Sequence, residues 1–228
     1  MLGSGTVQYT EKSKKLGWST QQNSPYAVAE LPLEALILEI GGGQDPHPSS
    51  DVVVDKFLEN NIHRCGGCAI QYEKRLLAKY LDGHEETIQQ PLTLIQGDAV
   101  ELPFRDKSFD FVITKDVLEH IPDIRKVLAE ISRVGRGGYI DVPKLTSEYL
   151  FPQGEIHKWV FGMENGVFTA HSTEGFESPF GLTLHKVFAE NSEVQTAWAK
   201  SRGYFHLVRF WQGTVDCVIG KPVVEMLN

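Results

Sequence analysis

Leu36–Pro46 reads LILEIGGGQDP and Asp51–Asp55 reads DVVVD. Each is a short apolar run closed by residues that cannot continue it, three glycines in the first and a carboxylate in the second. Runs of four to six apolar residues bounded in this way suit strands buried on both faces of a sheet, where side chains of either parity must be apolar. Working outward, the same pattern returns at Leu92–Gly97, Phe109–Thr114 and Gly138–Val142, so Ala35–Ile40 and Asp51–Asp55 are the first two of five expected strands.

Between these runs the periodicity changes. Tyr72–Tyr80 carries Leu76, Leu77 and Tyr80 at helical spacing, and Asp123–Val134 places Ile124, Val127, Leu128 and Ile131 on one face. Pro122 suits the first turn of the second helix. Strands alternating with helices from residue 35 to 143 predict an α/β domain with a doubly wound, mainly parallel sheet. After Pro143 the pattern loosens. Glu164, Asn165 and Gly166 read as a hairpin turn, and Thr183–Ser201 as a helix. Tyr204–Trp211 and Thr214–Ile219 read as an antiparallel pair at the sheet edge, bringing the expected sheet to seven strands.

The organisation that follows is an N-terminal arm or lid at 1–30 and a single domain at 31–228, elaborated at 144–203. Of 228 residues, 41% are hydrophobic and 23% charged, which suits a globular chain and excludes collagen-like and coiled-coil classes. Lys and Arg number 22 against 30 Asp and Glu, a net charge of −8 that disfavours nucleic acid as a partner. A basic patch from Lys12, Lys14, Lys15, Arg133 and Arg136 would be needed to offset it. No apolar run approaches membrane-spanning length, and no signal-peptide core is seen near the start. Three cysteines make no disulfide framework. A cytoplasmic location is expected.

Glycines that follow a buried strand let a ligand approach the backbone and expose amide donors at the carboxyl edge of the sheet, although a tight turn needs glycine for steric reasons alone. Asp55 stands where a second strand delivers a carboxylate beside the first, suited to a ribose diol or simply to a solvated strand end. Dinucleotide fingerprints space glycine and acid by about 20 residues with a helix between. Here 14 residues separate Gly41 from Asp55, and Pro46 and Pro48 interrupt them. A nicotinamide oxidoreductase therefore fits poorly, and a ligand with one ribose and no phosphate fits better.

The third piece is QGDAVELPFRDKSFDFVITKDVLEHIPD at 96–123. With it, residues 35–143 resemble the class I S-adenosylmethionine-dependent methyltransferases, most closely the small-molecule type 11 kind with GDA, LPF, SFD and DVLEHI in order. The resemblance implies a Rossmann-like fold and S-adenosylmethionine as cofactor. By it, Glu39, Gly41, Gly42 and Gly43 hold the methionine part, Asp55 takes the ribose hydroxyls, and Lys56 lies beside the adenine. Asp98 accepts from the adenine amino group, and Ala99 faces the ring. Lys115 and Asp116 line the methionine end of the cofactor, and Leu118, Glu119 and His120 continue over the transfer site. Carboxylates at 39, 55, 98 and 116 would also favour a cationic sulfonium.

The methyl acceptor is expected to be a small molecule, held by the elaboration. GEIHKWVF at 154–161 gathers an imidazole, charged groups and two large aromatics there. His120 and His157 are the candidate general bases, because an imidazole takes a hydroxyl proton near neutral pH; His171 and His185 are weaker candidates. Trp159 and Phe161 read equally as a minor core. No metal site is expected: Cys65 and Cys68 form a CxxC pair, but His63 and His84 complete only a loose set. The alternative to an enzyme is a cofactor-binding scaffold or partner subunit without an open acceptor site.

Overall fold

Five strands run parallel at the centre of the molecule, and four of them are mostly buried, as their largely apolar sequences require. In the computed structural model, which describes residues 35–43, 46–47, 50–57, 75–81, 84–90, 93–181 and 183–227, β1 is Ile37–Ile40 and β2 is Val52–Asp55. A separate hairpin follows, β3 (Arg75–Leu81) with β4 (His84–Gln90). The main sheet resumes with β5 (Thr93–Gln96), β6 (Phe111–Lys115) and β7 (Gly137–Pro143). Every residue of β1 and β7 is buried.

The sheet order is β5-β2-β1-β6-β7, closed by antiparallel β10 (His206–Gln212). Register is set on each side of β1, with Glu39 opposite Val53 on β2 and opposite Ile113 on β6. The chain winds one way from β1 through β2 to β5, then crosses to β6 and β7. The reversal falls between β1 and β6, where α/β sheets open a crevice at their carboxyl ends.

Helix α1 (Ile124–Val134) covers one face with Ile124, Val127, Leu128, Ile131 and Val134, all buried. The Asp123 side chain caps it by accepting from Lys126 N at 3.0 Å, a contact that contributes about 1 kcal/mol. Pro122 consequently stands before the cap rather than inside the first turn. Arg133 ties α1 to the loop ahead of β6, donating to Glu130, Asp106 and the Leu102 and Phe104 carbonyls. Arg136 pairs with Asp110 at 3.5 Å. Both arginines expected in a basic patch are thus engaged with acids of the same chain.

The elaboration contains α2 (Leu145–Leu150), strands β8 (Trp159–Glu164) and β9 (Val167–Ser172), and helices α3 (Thr183–Glu190), α4 (Ser192–Lys200) and α5 (Arg202–Phe205). The β8–β9 hairpin turns at Asn165 and Gly166, with φ of 51° and 81°. Phe161 and Phe168 stack inside the main core, 5.4 Å between centroids.

Four expectations are corrected. The main sheet has six strands, not seven: after Gly213 the chain leaves the edge, and Val215 is buried against the core with its N–H on Ser132 Oγ at 2.9 Å. What remains of the expected strand, β11 (Val218–Ile219), pairs parallel with β9 instead. Of the helix expected at Tyr72–Tyr80, the described part, Arg75–Tyr80, belongs to strand β3. Its partner begins two residues after it ends, and the intervening Asp82 and Gly83 form the dipeptide most favourable to a two-residue hairpin. The helix expected at Thr183–Ser201 is broken at Asn191, whose Oδ1 accepts from Glu193 N and Val194 N and starts α4. The arm at 1–30, Lys12, Lys14, Lys15, His63, Cys65 and Cys68 lie outside the described residues. Among the described residues no helix is long and apolar enough to cross a membrane.

Candidate active site

Gly41 follows β1 at φ 67°, in the left-handed region that glycine enters at no steric cost, and its N–H donates to Val54 O at 2.7 Å. A Cβ built there would stand 2.5 Å from Val117 Cγ2, so the backbone passes directly under the loop after β6. Gly43, at φ 59°, has nothing within 4 Å of its would-be Cβ. The two glycines open a cradle at the crevice between β1 and β6.

That cradle is one wall of a cavity of about 540 Å³, within the range of small-molecule sites. Gly41, Gly43, Asp55, Lys56, Asp98, Ala99, Asp116 and His120 line it, joined by Val54, Phe57 and Ile121. Glu39, Gly42, Lys115 and Leu118 are not among its lining residues. Glu39 is buried, and its Oε2 accepts from His47 N and Ser50 Oγ, both at 2.6 Å, fixing the segment after the glycines. A Cβ on Gly42 would meet Pro46 and Val53 rather than the cavity. Leu118 is fully buried in the core, and Lys115 is exposed at the strand end.

The acids of the rim are largely matched by cations. Asp98 Oδ2 accepts from Lys56 Nζ at 2.8 Å, which outweighs partial burial and holds its carboxyl below the ordinary range. Lys56 therefore reaches across the rim toward the β5 end. Asp116 is gripped by Arg202. Asp55 is buried, with Oδ1 accepting from Phe57 N at 2.8 Å. The expected attraction of four acids for a sulfonium is thus reduced, with Asp98 and Asp116 paired and Glu39 turned inward. Steric fit and hydrogen bonding remain as the features that suit the cofactor: an open glycine cradle, the buried Asp55 carboxylate, and Asp98 and Ala99 on the far wall.

A second cavity of about 250 Å³ adjoins the first, and Asp116 and His120 line both. Its walls come mostly from the elaboration. Phe151, Phe188 and Trp198 form an aromatic side, with Phe151 and Trp198 edge to face at 4.3 Å. His157 and His120 stand edge to face at 4.8 Å. His157 Nδ1 is hydrogen-bonded to the buried carboxylate of Glu148, whose second oxygen accepts from Gln153 N at 3.1 Å. His120 Nδ1 faces Ile156 O at 3.3 Å. Both rings thus meet an acceptor on their Nδ1 side, which favours the tautomer with the proton there.

Beneath them lies Glu119, 1% exposed. Burial pushes its carboxyl well above the ordinary range, and the charge of Asp116 adds to the effect. Its Oε2 has no hydrogen-bond partner among the described residues. Behind the Arg202 and His206 side of the cavity lies Asp141, fully buried, which accepts from His206 Nδ1 at 2.9 Å and from Arg202 at 3.1 Å. Burial alone would raise the Asp141 carboxyl, but His206 and Arg202 together hold it low.

The expected bases His120 and His157 come together at this cavity, whereas His171 is turned to Lys221 O and Thr169 Oγ1 in the β8–β9 unit. Trp159 donates to Ile121 O at 3.0 Å and packs on the core, and Phe161 is buried in it. Sequence reasoning missed Glu148, Asp141, Arg202, His206 and the aromatic wall. An acid nine residues ahead of His157 was the one available signal. Arg202 and His206 reach the site through tertiary folding alone.

Residues 55–140 match the family model described as a methyltransferase domain. Over 133 residues the chain is 46% identical to a demethylmenaquinone methyltransferase of Geobacillus stearothermophilus, covering 57% of this chain and 51% of that one. It is 39% identical over 71 residues to the enzyme of the same name from Staphylococcus aureus, covering 31% of this chain and 30% of that one. The chain thus spans about half the length of the first relative and under a third of the second. A solved S-adenosylmethionine-dependent methyltransferase from Methanosarcina mazei is 19% identical, with 59% of this chain and 69% of that one covered at a TM-score of 0.36. The matched segment runs from Asp55 through β5, β6, α1 and into β7, and it includes the Asp55–Phe57, Gly97–Val100 and Asp116–Asp123 walls of the larger cavity, so this part of the chain is similar to a methyltransferase domain.

Proposed function

We propose that the chain binds S-adenosylmethionine in the larger cavity and transfers its methyl group to a small molecule seated in the smaller one. The observation that carries this reading is the shared wall: a group held among the aromatic residues reaches the cofactor cavity past Asp116 and His120. The cofactor supplies an electrophilic methyl on sulfur. The chain's part is to hold both molecules in reach and keep water out, which contributes most of the acceleration in such transfers.

Asp55 is the acceptor for the ribose hydroxyls in this reading. Asp98 receives the adenine amino group beside its bond to Lys56, since a carboxylate offers about four lone-pair sites. Gly41 and Gly43 admit the methionine part. His157, oriented by Glu148 through Nδ1, presents Nε2 as the base for an acceptor hydroxyl, with His120 beside it. The relatives' name carries a demethylated quinone as acceptor, and a flat ring of that kind suits the wall of Phe151, Phe188 and Trp198.

The test is incubation with methyl-labelled S-adenosylmethionine and a panel of phenols, hydroquinones and small amines. Acceptor-dependent transfer of label, reduced by Asp55→Ala at sub-saturating cofactor, is the expected result. A chain that neither binds the cofactor nor labels any acceptor refutes the reading.

A further inference from the structure

Glu119 and His120, neighbours on one turn after β6, and His157 from the elaboration bring one carboxylate and two imidazoles to one point on the smaller cavity. Each offers a ligand atom such that all three lie within 4.8 Å of one another. Two features set this trio apart from a chance meeting of polar groups. The first is the buried Glu119 Oε2, which has no hydrogen-bond partner among the described residues although its side chain is 2% exposed. A buried carboxylate oxygen so placed costs roughly 1–3 kcal/mol unless something answers it. The second is the outer ring of contacts. Nδ1 of His157 meets the Glu148 carboxylate and Nδ1 of His120 meets the Ile156 carbonyl. Histidines that ligate metals are held in this way, one ring nitrogen on a carboxylate or carbonyl and the other on the ion.

We propose that Glu119, His120 and His157 form a binding site for a divalent transition-metal ion, with zinc as the fitting member of the class. Two nitrogens and one oxygen suit zinc far better than magnesium or calcium, which take oxygen ligands. Three protein ligands with a fourth position open to a cavity is the arrangement of zinc sites that work on a substrate. Ligands about 2.0–2.2 Å from a tetrahedral ion stand roughly 3.3 Å apart, so no pair of ligand atoms need close by more than about 1.5 Å on binding. The neighbouring trio of Asp116, Asp141 and His206 is not a second site, because the Arg202 guanidinium already lies between its carboxylates.

The binding claim stands without the methyl-transfer reading, while its consequence rests on it. An ion at this point holds an acceptor oxygen at the rim of the cofactor cavity and lowers the pKa of a hydroxyl there, relieving His157 of the role of base.

The experiment titrates zinc into the chelator-treated full chain by calorimetry and records the optical spectrum with cobalt in its place. The expected result is one site per chain, weakened at least 100-fold by Glu119→Gln and by His157→Gln, and 10- to 100-fold by Glu148→Gln. The cobalt spectrum of the unaltered chain is expected to show a tetrahedral or five-coordinate site with no thiolate charge-transfer band. Cofactor titration of each variant separates loss of the site from loss of the fold. Absence of zinc binding overturns the proposal, as does binding that survives Glu119→Gln and His157→Gln, or that disappears in Cys65→Ser with Cys68→Ser. None of these results bears on whether the cofactor binds.

Discussion

Arg202 Nη2 lies 2.8 and 2.7 Å from the two carboxylate oxygens of Asp116, across 86 residues of sequence. Asp116 directly follows β6 at φ 53°, in the left-handed region that a non-glycine residue enters at a cost of about 1–2 kcal/mol. The same guanidinium reaches Asp141 at 3.1 Å. One cation thus ties the elaboration to the strand ends of the sheet at the place where the two cavities meet.

Arg202→Met should therefore lower both stability and transfer. Removing one partner of a fully buried pair costs about 3–5 kcal/mol. Arg202 is one-fifth exposed and His206 stays on Asp141, so roughly 2 kcal/mol is expected here. Urea unfolding measures the loss. An unchanged midpoint would mean that the clamp contributes nothing to the folded state.

Asp141 makes the fold acid-sensitive. Its folded-state carboxyl is held low by His206 and Arg202 against the effect of burial, so the stabilisation is present in full above about pH 4, the unfolded carboxyl range. It is lost as the pH falls through the folded-state value. The difference in unfolding free energy between the parent and Asp141→Asn should hold steady from pH 7 to about 4.5 and narrow below about 4. A gap that widens on acidification would show the shift to have the opposite sign.

The two cradle glycines should respond differently to alanine. At Gly41 the new Cβ meets Val117 at 2.5 Å as well as a left-handed backbone, whereas at Gly43 it meets open space. Left-handed strain alone costs about 1–2 kcal/mol. Gly41→Ala should therefore lose more stability than Gly43→Ala by at least about 1 kcal/mol. Because its Cβ projects into unfilled space at the cavity wall, Gly43→Ala should weaken cofactor binding more than its stability loss suggests. Unfolding curves and cofactor titrations on both variants decide the point, and equal stability losses would refute it.

The sheet was legible because its signals are local: LILEI and DVVVD must be buried on both faces, and Asp123 announces α1. Leu76, Leu77 and Tyr80 fit a helical face as well as a strand, and the Asp82-Gly83 dipeptide that follows them is the sequence signal that favours the hairpin of β3 and β4. Asn191 was likewise an available stop for α3. The cofactor cavity was approached through glycines and acids at strand ends, yet the sequence could not say that Asp98 meets Lys56 or that Glu39 turns inward to Ser50. The smaller cavity was nearly hidden. Phe188, Trp198 and Arg202 reach it by tertiary packing, and the burial of Glu119, expected only to continue over the transfer site, has no local signal in the sequence.

The central claim is that the crevice beside Gly41 and Asp55 binds S-adenosylmethionine, and calorimetric titration of the parent chain and Asp55→Ala tests it most directly. The account predicts one cofactor per parent chain and a dissociation constant raised roughly 5- to 150-fold in the variant, from about 1–3 kcal/mol of charge-assisted hydrogen bonds. No binding by the parent, or the same constant in both chains, would contradict it.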